Sequence, residues 1–275
     1  MGKSVALLLA AAVVVGANAS GHAADLLPPP PMEMLPPPPV DFGGWYLRGD
    51  VGVGATQVSG WRNTLDPTSI AGNPAPMVFP VTAHVGDMAH FSAGVGYQYN
   101  NWIHGDLTGE YRTGGTYSAA VGWANQLGQF GADVYSGSFH TALFMANGYV
   151  DLGTWRGVTP FVGVGVGAAF NWLDGFMDHG FGYAQDTSKT NFAWSATGGL
   201  GYSVTPNLRL EVAYRYLDLG KFSSNPIQCI NIATCWNERH HFNVASHDVR
   251  VGFRYMLGSV DPIPMPGPGP LIRKF

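Results

Sequence analysis

Charge is scarce in this chain. Only 12% of its 275 residues are Asp, Glu, Lys or Arg, against the quarter usual for soluble domains. Lysine is scarcest, confined to Lys3, Lys189, Lys221 and Lys274. A surface built for water displays many more, so the composition argues against an ordinary soluble domain. The net charge of −4 lacks the basic footprint that nucleic-acid binding requires. Long apolar runs are missing as well. Beyond an N-terminal leader none approaches 18 residues, which excludes a bundle of membrane-spanning helices. Cysteine occurs only at 229 and 235, so no cysteine follows the leader and a lipoprotein is excluded.

What is abundant is glycine, at 38 residues, with aromatics at 13% and 20 prolines. The chain opens with a short basic stretch, Met1-Gly2-Lys3, and an apolar run from Val5 to Val15. Small residues follow, and the whole predicts a secretory signal peptide. Cleavage after Ala23 or after Ala19 fits the small-x-small rule. The former is preferred because it opens directly onto "ADLLPPPPMEMLPPPPV", Ala24 to Val40. Prolines without N–H groups and with fixed φ favour a stiff polyproline II arm. About twenty residues at ~3.1 Å each span roughly 60 Å.

From Trp45 onward the dominant period is two, the mark of strands. Trp45, Leu47, Val51 and Val53 alternate with Arg48 and Asp50, and Phe91, Ala93, Val95 and Tyr97 with His90 and Ser92. The same pattern returns around Leu107 and Tyr111, Phe144 and Ala146, Val162 to Phe170, Phe192 to Tyr202, Leu208 to Tyr216, and Val249 to Leu257. Eight strands result. The links near Asn100, Gly153 and Pro206 are short, whereas those across 58–87, 113–137, 171–190 and 218–246 are long. That alternation is the signature of an outer-membrane barrel. The fold expected is all-β: an eight-stranded antiparallel transmembrane β-barrel with Pro-rich N- and C-terminal tails. Residues 1–23 are read as signal peptide, 24–43 as periplasmic linker, 44–257 as barrel and 258–275 as a Pro/Gly-rich tail.

Alternation alone does not say whether the apolar face meets lipid or the core of a secreted lipocalin-like barrel. Tyr and Trp near strand ends suit interfacial girdles, and the other face is rich in Arg, carboxylates and glycine. With the apolar face in lipid, the lumen receives Arg48, Arg112, Arg209, Arg215, Arg250 and Arg254 beside Asp50, Asp106, Glu110, Glu211 and Asp248. An eight-stranded barrel is just filled by side chains, so these eleven residues are expected to form an ion-pair plug. His90 and His104 are expected to join it.

The stretches "WYLRGDVGVG", "FSAGVGYQYNNW", "DLTGEYR", "TPFVGVGVGAAF", "LEVAYRYLDLG" and "HDVRVGFRYML" resemble the small outer-membrane β-barrel proteins of α-proteobacteria. These are the outer-membrane immunogenic or porin-family proteins of Rhizobiales, distant in kind from the outer-membrane protein A barrel. The chain departs from them in its two proline-rich tails. The resemblance implies a Gram-negative outer membrane, with lipid and lipopolysaccharide around the barrel, both termini periplasmic and the long loops extracellular. It also implies a covalent bond from the mature amine of Ala24, followed by Asp25, to the diaminopimelate of peptidoglycan; a free, unattached extension is the alternative. Arg250, Gly252, Tyr255 and Leu257 resemble the terminal-strand signal read by the barrel assembly machinery, and Phe275 is a second candidate.

Other residues tempt and carry less. In an oxidising envelope, Cys229 and Cys235 are expected to form a disulfide within the last long link. Glu238, His240, His241 and His247 invite a metal, yet loop histidines at irregular spacing are read here as solvated. His140, Asp178, His179, His240 and Ser246 are rim candidates for a lipid A-modifying enzyme, but no spacing singles out a triad. The function expected is a non-enzymatic structural barrel without cofactor or metal that supports envelope integrity. A narrow pore for small solutes is the alternative, and the enzyme comes third.

Overall fold

The computed structural model describes residues 43–65, 76–179, 182–229 and 237–258. The leader, Ala24, Asp25, Cys235, Phe275 and both proline-rich tails lie outside the described residues, and with them the expected disulfide and attachment point.

Eight antiparallel strands close into a ring: β1 (Gly44–Leu65), β3 (Met88–Gln98), β4 (Ile103–Ala124), β5 (Phe130–Asp151), β6 (Val158–Asp178), β8 (Thr187–Ser203), β9 (Leu208–Ser223) and β11 (Glu238–Met256). Closure is made by β1 on β11, in register from Tyr46↔Met256 to Leu65↔Glu238 with one irregularity between Ser59 and Arg62. Three further strands, β2 (Met77–Val85), β7 (Gly182–Ala184) and β10 (Ile227–Cys229), belong to one end only. That end is the tall end. The opposite, turn end carries the tight links. There Asn100 takes the amides of Trp102 and Ile103 on its side-chain oxygen, and Val204 N–H donates to Leu208 C=O. Gly44 and Met256, the first and last strand residues, both lie at the turn end.

The outward faces form an apolar belt: Val51, Val53, Leu107, Phe144, Val164, Phe192, Val212, Val251 and Phe253 are all exposed. The belt ends at aromatic and imidazole groups, where Tyr214 Oη and Tyr216 meet His247. Ring residues that tolerate a wet and an apolar side suit such a boundary.

The expected long loops are the main correction. The link across 113–137 is strand almost throughout, since β4 runs on to Ala124 and β5 starts at Phe130. Strands also occupy much of 171–190 and 218–246. The physical reason is a reversal of chemistry along an unbroken wall. On the lower part of β11, Val249, Val251 and Phe253 face out and Asp248, Arg250 and Arg254 face in. Higher up, Val244 and Phe242 face in, while Asn243, His241 and Arg239 face out. A strand leaving lipid for water must exchange its apolar and polar faces, as a soluble barrel does. The alternation therefore persists with inverted phase and does not read as a continuation of the belt strand. Irregularities mark the change, between Arg112 and Gly115, Ser136 and Ser138, and Val244 and Ala245. At the last of these, Gly220 adopts φ +82°, a region suited to glycine.

Above Gly54↔Met88, β1 pairs with β11 and β2 with β4, and no ladder joins β1 to β2 among the described residues. Val58 and Trp61 of β1 and Val78 and Ala83 of β2 instead pack on the same apolar interior.

Candidate functional site: a two-storey luminal plug

The lower storey is ionic. Arg112 on β4 grips Asp248 on β11 with both terminal nitrogens, at 2.9 and 2.6 Å, and also donates to Glu110 at 3.0 Å and Ser246 at 2.8 Å. Arg215 on β9 reaches Asp248 at 2.6 Å and Glu110 at 2.7 Å. Nearer the turn end, Arg48 donates to Asp106 at 2.9 Å, Asp50 at 3.2 Å and Tyr149 Oη at 2.7 Å. Arg254 holds Glu211 at 2.7 Å and Gln98 at 2.9 Å. Arg250 stands 3.3 Å from Asp50, and Arg209 pairs with Asp151 at 2.9 Å.

The structure thus brings the eleven residues into one lumen, all buried except the half-buried Arg209. It adds members that the sequence reading missed. Asp151 supplies a sixth carboxylate against the six guanidiniums. Its signal was parity: Phe144 and Ala146 mark the apolar face, so the odd-numbered position 151 belonged inside. Tyr46, Asn147 and Tyr149 complete the hydrogen bonding around Asp106 and Arg48. His104 stacks on Tyr149 with centroids 4.8 Å apart. Ligand atoms of His90, Glu110 and Asp248 lie within 4.8 Å of one another, but the two carboxylates are already gripped by Arg112 and Arg215. That donor set is an ion-pair cluster.

The upper storey is apolar. Phe139 meets Phe222 edge-on at 5.4 Å, and Phe242 stacks on Tyr117 at 5.0 Å. Above them His240 is enclosed by Tyr135 at 4.5 Å, Trp61 at 4.9 Å and Phe176 at 5.3 Å. Its Nδ1 lies 2.9 Å from Tyr117 Oη, which accepts the Trp61 indole N–H. Glu238 accepts from Tyr135 and Asn63. The loop histidines are therefore not one solvated group. His240 and Glu238 face inward and His240 is fully buried, whereas His241 and His247 face outward, so the four do not converge on a metal.

The imidazole of His240 stands far above the belt, and burial pushes its pKa down to about 3, with His241 adding a smaller push. In the unfolded chain it titrates near 6.5. The folded state keeps it neutral, so its contribution is complete above pH 6.5 and is lost as pH falls from 6.5 towards 3. Glu238 runs the other way, because burial raises its pKa and favours the protonated form. Comparing wild type with His240→Phe isolates the imidazole. The wild type is expected to lose on the order of a few kcal/mol more than the variant between pH 7 and 4. Urea titrations at each pH give the difference; parallel pH profiles would contradict it.

The rim candidates for catalysis are split by the wall. His140 pairs with Asp174 at 2.6 Å and His179 with Ser136 at 2.7 Å on the outward side, while His240 and Ser246 are buried inside. Arg250 and Gly252 face the lumen and Tyr255 faces out on β11, the strand that closes the ring, and Leu257 N–H donates to Trp45 C=O just beyond it.

Comparison with known proteins gives the family. An uncharacterized protein of Brucella suis biovar 1 is 30% identical over 243 residues, covering 78% of this chain and 81% of its own. The outer membrane protein PagN of Salmonella typhimurium is 39% identical over 83 residues, a match spanning 29% of this chain and only 35% of PagN. Among solved structures, Neisserial surface protein A aligns with a TM-score of 0.48 and 18% identity, covering 78% of this chain and 97% of that one. The family model "Outer membrane protein beta-barrel domain" matches residues 7–256, and the chain belongs to that family of Gram-negative outer-membrane barrels.

Proposed function

We propose that this protein is a closed, non-enzymatic structural barrel that supports the integrity of the outer membrane. Its tall end faces the outside and its turn end the periplasm. One observation carries the reading: strands diametrically opposite in the ring touch across the lumen on both storeys. Arg215 of β9 meets Glu110 of β4 at 2.7 Å, and Tyr135 of β5 meets His240 of β11 at 4.5 Å between centroids. A water-filled path for solutes has no room between such pairs. The narrow-pore alternative is thereby disfavoured, and the division of the rim residues between two sides of the wall disfavours the lipid A enzyme.

With the turn end in the periplasm, the amine of Ala24, followed by Asp25, is the bond-forming group of a covalent tether to peptidoglycan. The Arg250, Gly252, Tyr255 and Leu257 set serves the assembly machinery, and a Cys229–Cys235 bond staples the last tall hairpin.

The refolded protein in planar bilayers is expected to give no stepwise conductance above bare lipid. Regular steps would overturn the closed barrel. Detergent-boiled sacculi digested with lysozyme are expected to yield an Ala24 peptide joined to diaminopimelate. Sacculi free of barrel peptides would remove the tether and leave the closed barrel standing. Lipid A mass spectra are expected to be unchanged by the protein.

A further inference from the structure

Among the described residues, six of the lysines and arginines fill the lumen and Arg156 sits in a turn at the turn end. Four remain: Arg62, Lys189, Lys221 and Arg239. Three of these share one small area of the tall end's outer wall. Arg62 lies directly across from His241, Arg239 is across from Thr64, and Lys221 is across from Asn243. All three cations are exposed, and none has an ion-pair partner among the described residues. The outward-facing acid below them on β9, Asp218, gives its carboxylate to the Gly220 N–H.

Such an arrangement opposes folding. Like charges on neighbouring strands repel, and burial together with the Arg62 and Arg239 charges lowers the proton affinity of His241 between them. The imidazole is held by two hydroxyls, Ser223 Oγ at 2.6 Å and Thr64 Oγ1 at 3.0 Å. In a chain this poor in charge, three unpaired cations around a fixed imidazole form a site awaiting an anion. Arginine forks match phosphate oxygens in pairs.

Height above the belt selects the anion's carrier. His241 stands six residues beyond the boundary residue His247 along β11. At about 3.3 Å per residue and a tilt near 40°, that is roughly 15 Å above the belt. The headgroup layer of an ordinary phospholipid extends only about 5–7 Å beyond the hydrocarbon. A phosphate on an extended sugar headgroup does reach it. We propose that Arg62, Lys221 and Arg239, with His241, form a binding site for the phosphorylated sugar headgroup of a glycolipid in the leaflet around the tall end. This rests on the outward orientation proposed above.

The test uses the full refolded protein in detergent, where orientation plays no part, with purified rough-type lipopolysaccharide as probe. The triple variant R62Q/K221Q/R239Q is expected to bind about a hundredfold more weakly, on the order of fivefold per cation. Wild type should bind chemically dephosphorylated lipopolysaccharide as weakly as the variant binds the intact form, and Lys189→Gln should stay within twofold of wild type. Unchanged binding by the triple variant, with its folded gel mobility intact, would overturn the site. So would equal affinity for phosphatidylglycerol micelles, or full competition by equimolar inorganic phosphate, which would transfer the site to a different source of phosphate. If the triple variant fails to fold, the dephosphorylated probe on wild type decides alone. Biotinylation of Lys221 on intact cells tests the orientation separately.

Discussion

Replacing Asp248 by alanine is expected to cost about 3–5 kcal/mol, the range for breaking a buried ion pair from one side. Asp248 is fully buried and accepts from Arg112, Arg215 and Ser246. Its loss leaves Arg112, itself without exposure, with only Glu110 and Ser246, and strips Arg215 of its closest carboxylate contact. Neither guanidinium can shed its proton, so the charge stays buried and poorly matched. Urea unfolding followed by tryptophan fluorescence measures the loss. A double replacement, Asp248→Leu with Arg112→Met, is expected to recover much of it, because no orphaned charge remains at that position and apolar pairs of similar volume substitute well for buried ion pairs. A loss below about 1 kcal/mol for Asp248→Ala would show that water reaches the cluster and that the lower storey is not a dry plug.

Phe242→Ala is expected to cost a similar amount, about 3–5 kcal/mol, for a different reason. Phe242 packs between Tyr117 at 5.0 Å, Phe222 at 5.4 Å and Phe139 at 6.4 Å. These neighbours come from β4, β9 and β5 and are each held by their own strand, so they cannot close the cavity. Asn243→Ala, one residue on and on the outer side of the wall, is expected to cost about 0.5 kcal/mol or less. The contrast between adjacent residues tests the inverted storey directly. In a loop the two would differ by little, and a folded wall above the belt requires the difference. Equal effects in urea titrations would argue that the tall end is not packed.

The two variants also separate what was legible in the sequence. Asp248 was placed in the lumen by parity alone: Val249, Val251 and Phe253 mark the lipid side, and the residues between them must point inward. The same parity fixed the other luminal charges, because a strand's side chains alternate whatever surrounds it. Asp151 escaped only because Ala142, Phe144, Ala146 and Val150 give β5 a noisier stripe. Phe242 was not legible as core. Its stretch, His240 to Val244, alternates as well as any belt strand, but with the apolar residues on the side that carries charge lower down. Read as one pattern with the belt, it looks like a break. Girdle residues such as Tyr214 and Tyr216 mark the plane at which lipid gives way to water, but nothing in the sequence says that the strands run on beyond it, and it is that plane which reverses the meaning of an apolar side chain.

By itself, then, the sequence determined the class of fold, the number of strands in the ring and the side each belt residue faces, since these follow from a period of two and from short links at one end. Only the tertiary structure decided how the inward residues are partnered. Arg215 and Glu110, 105 positions apart in the chain, meet because ring closure and stagger put β9 opposite β4 at matching height. The cluster of Arg62, Lys221 and Arg239 has the same origin. Its members come from three strands and become neighbours only through the register of β1 and β9 on β11, a quantity set by the whole ring and carried by no local stretch of sequence.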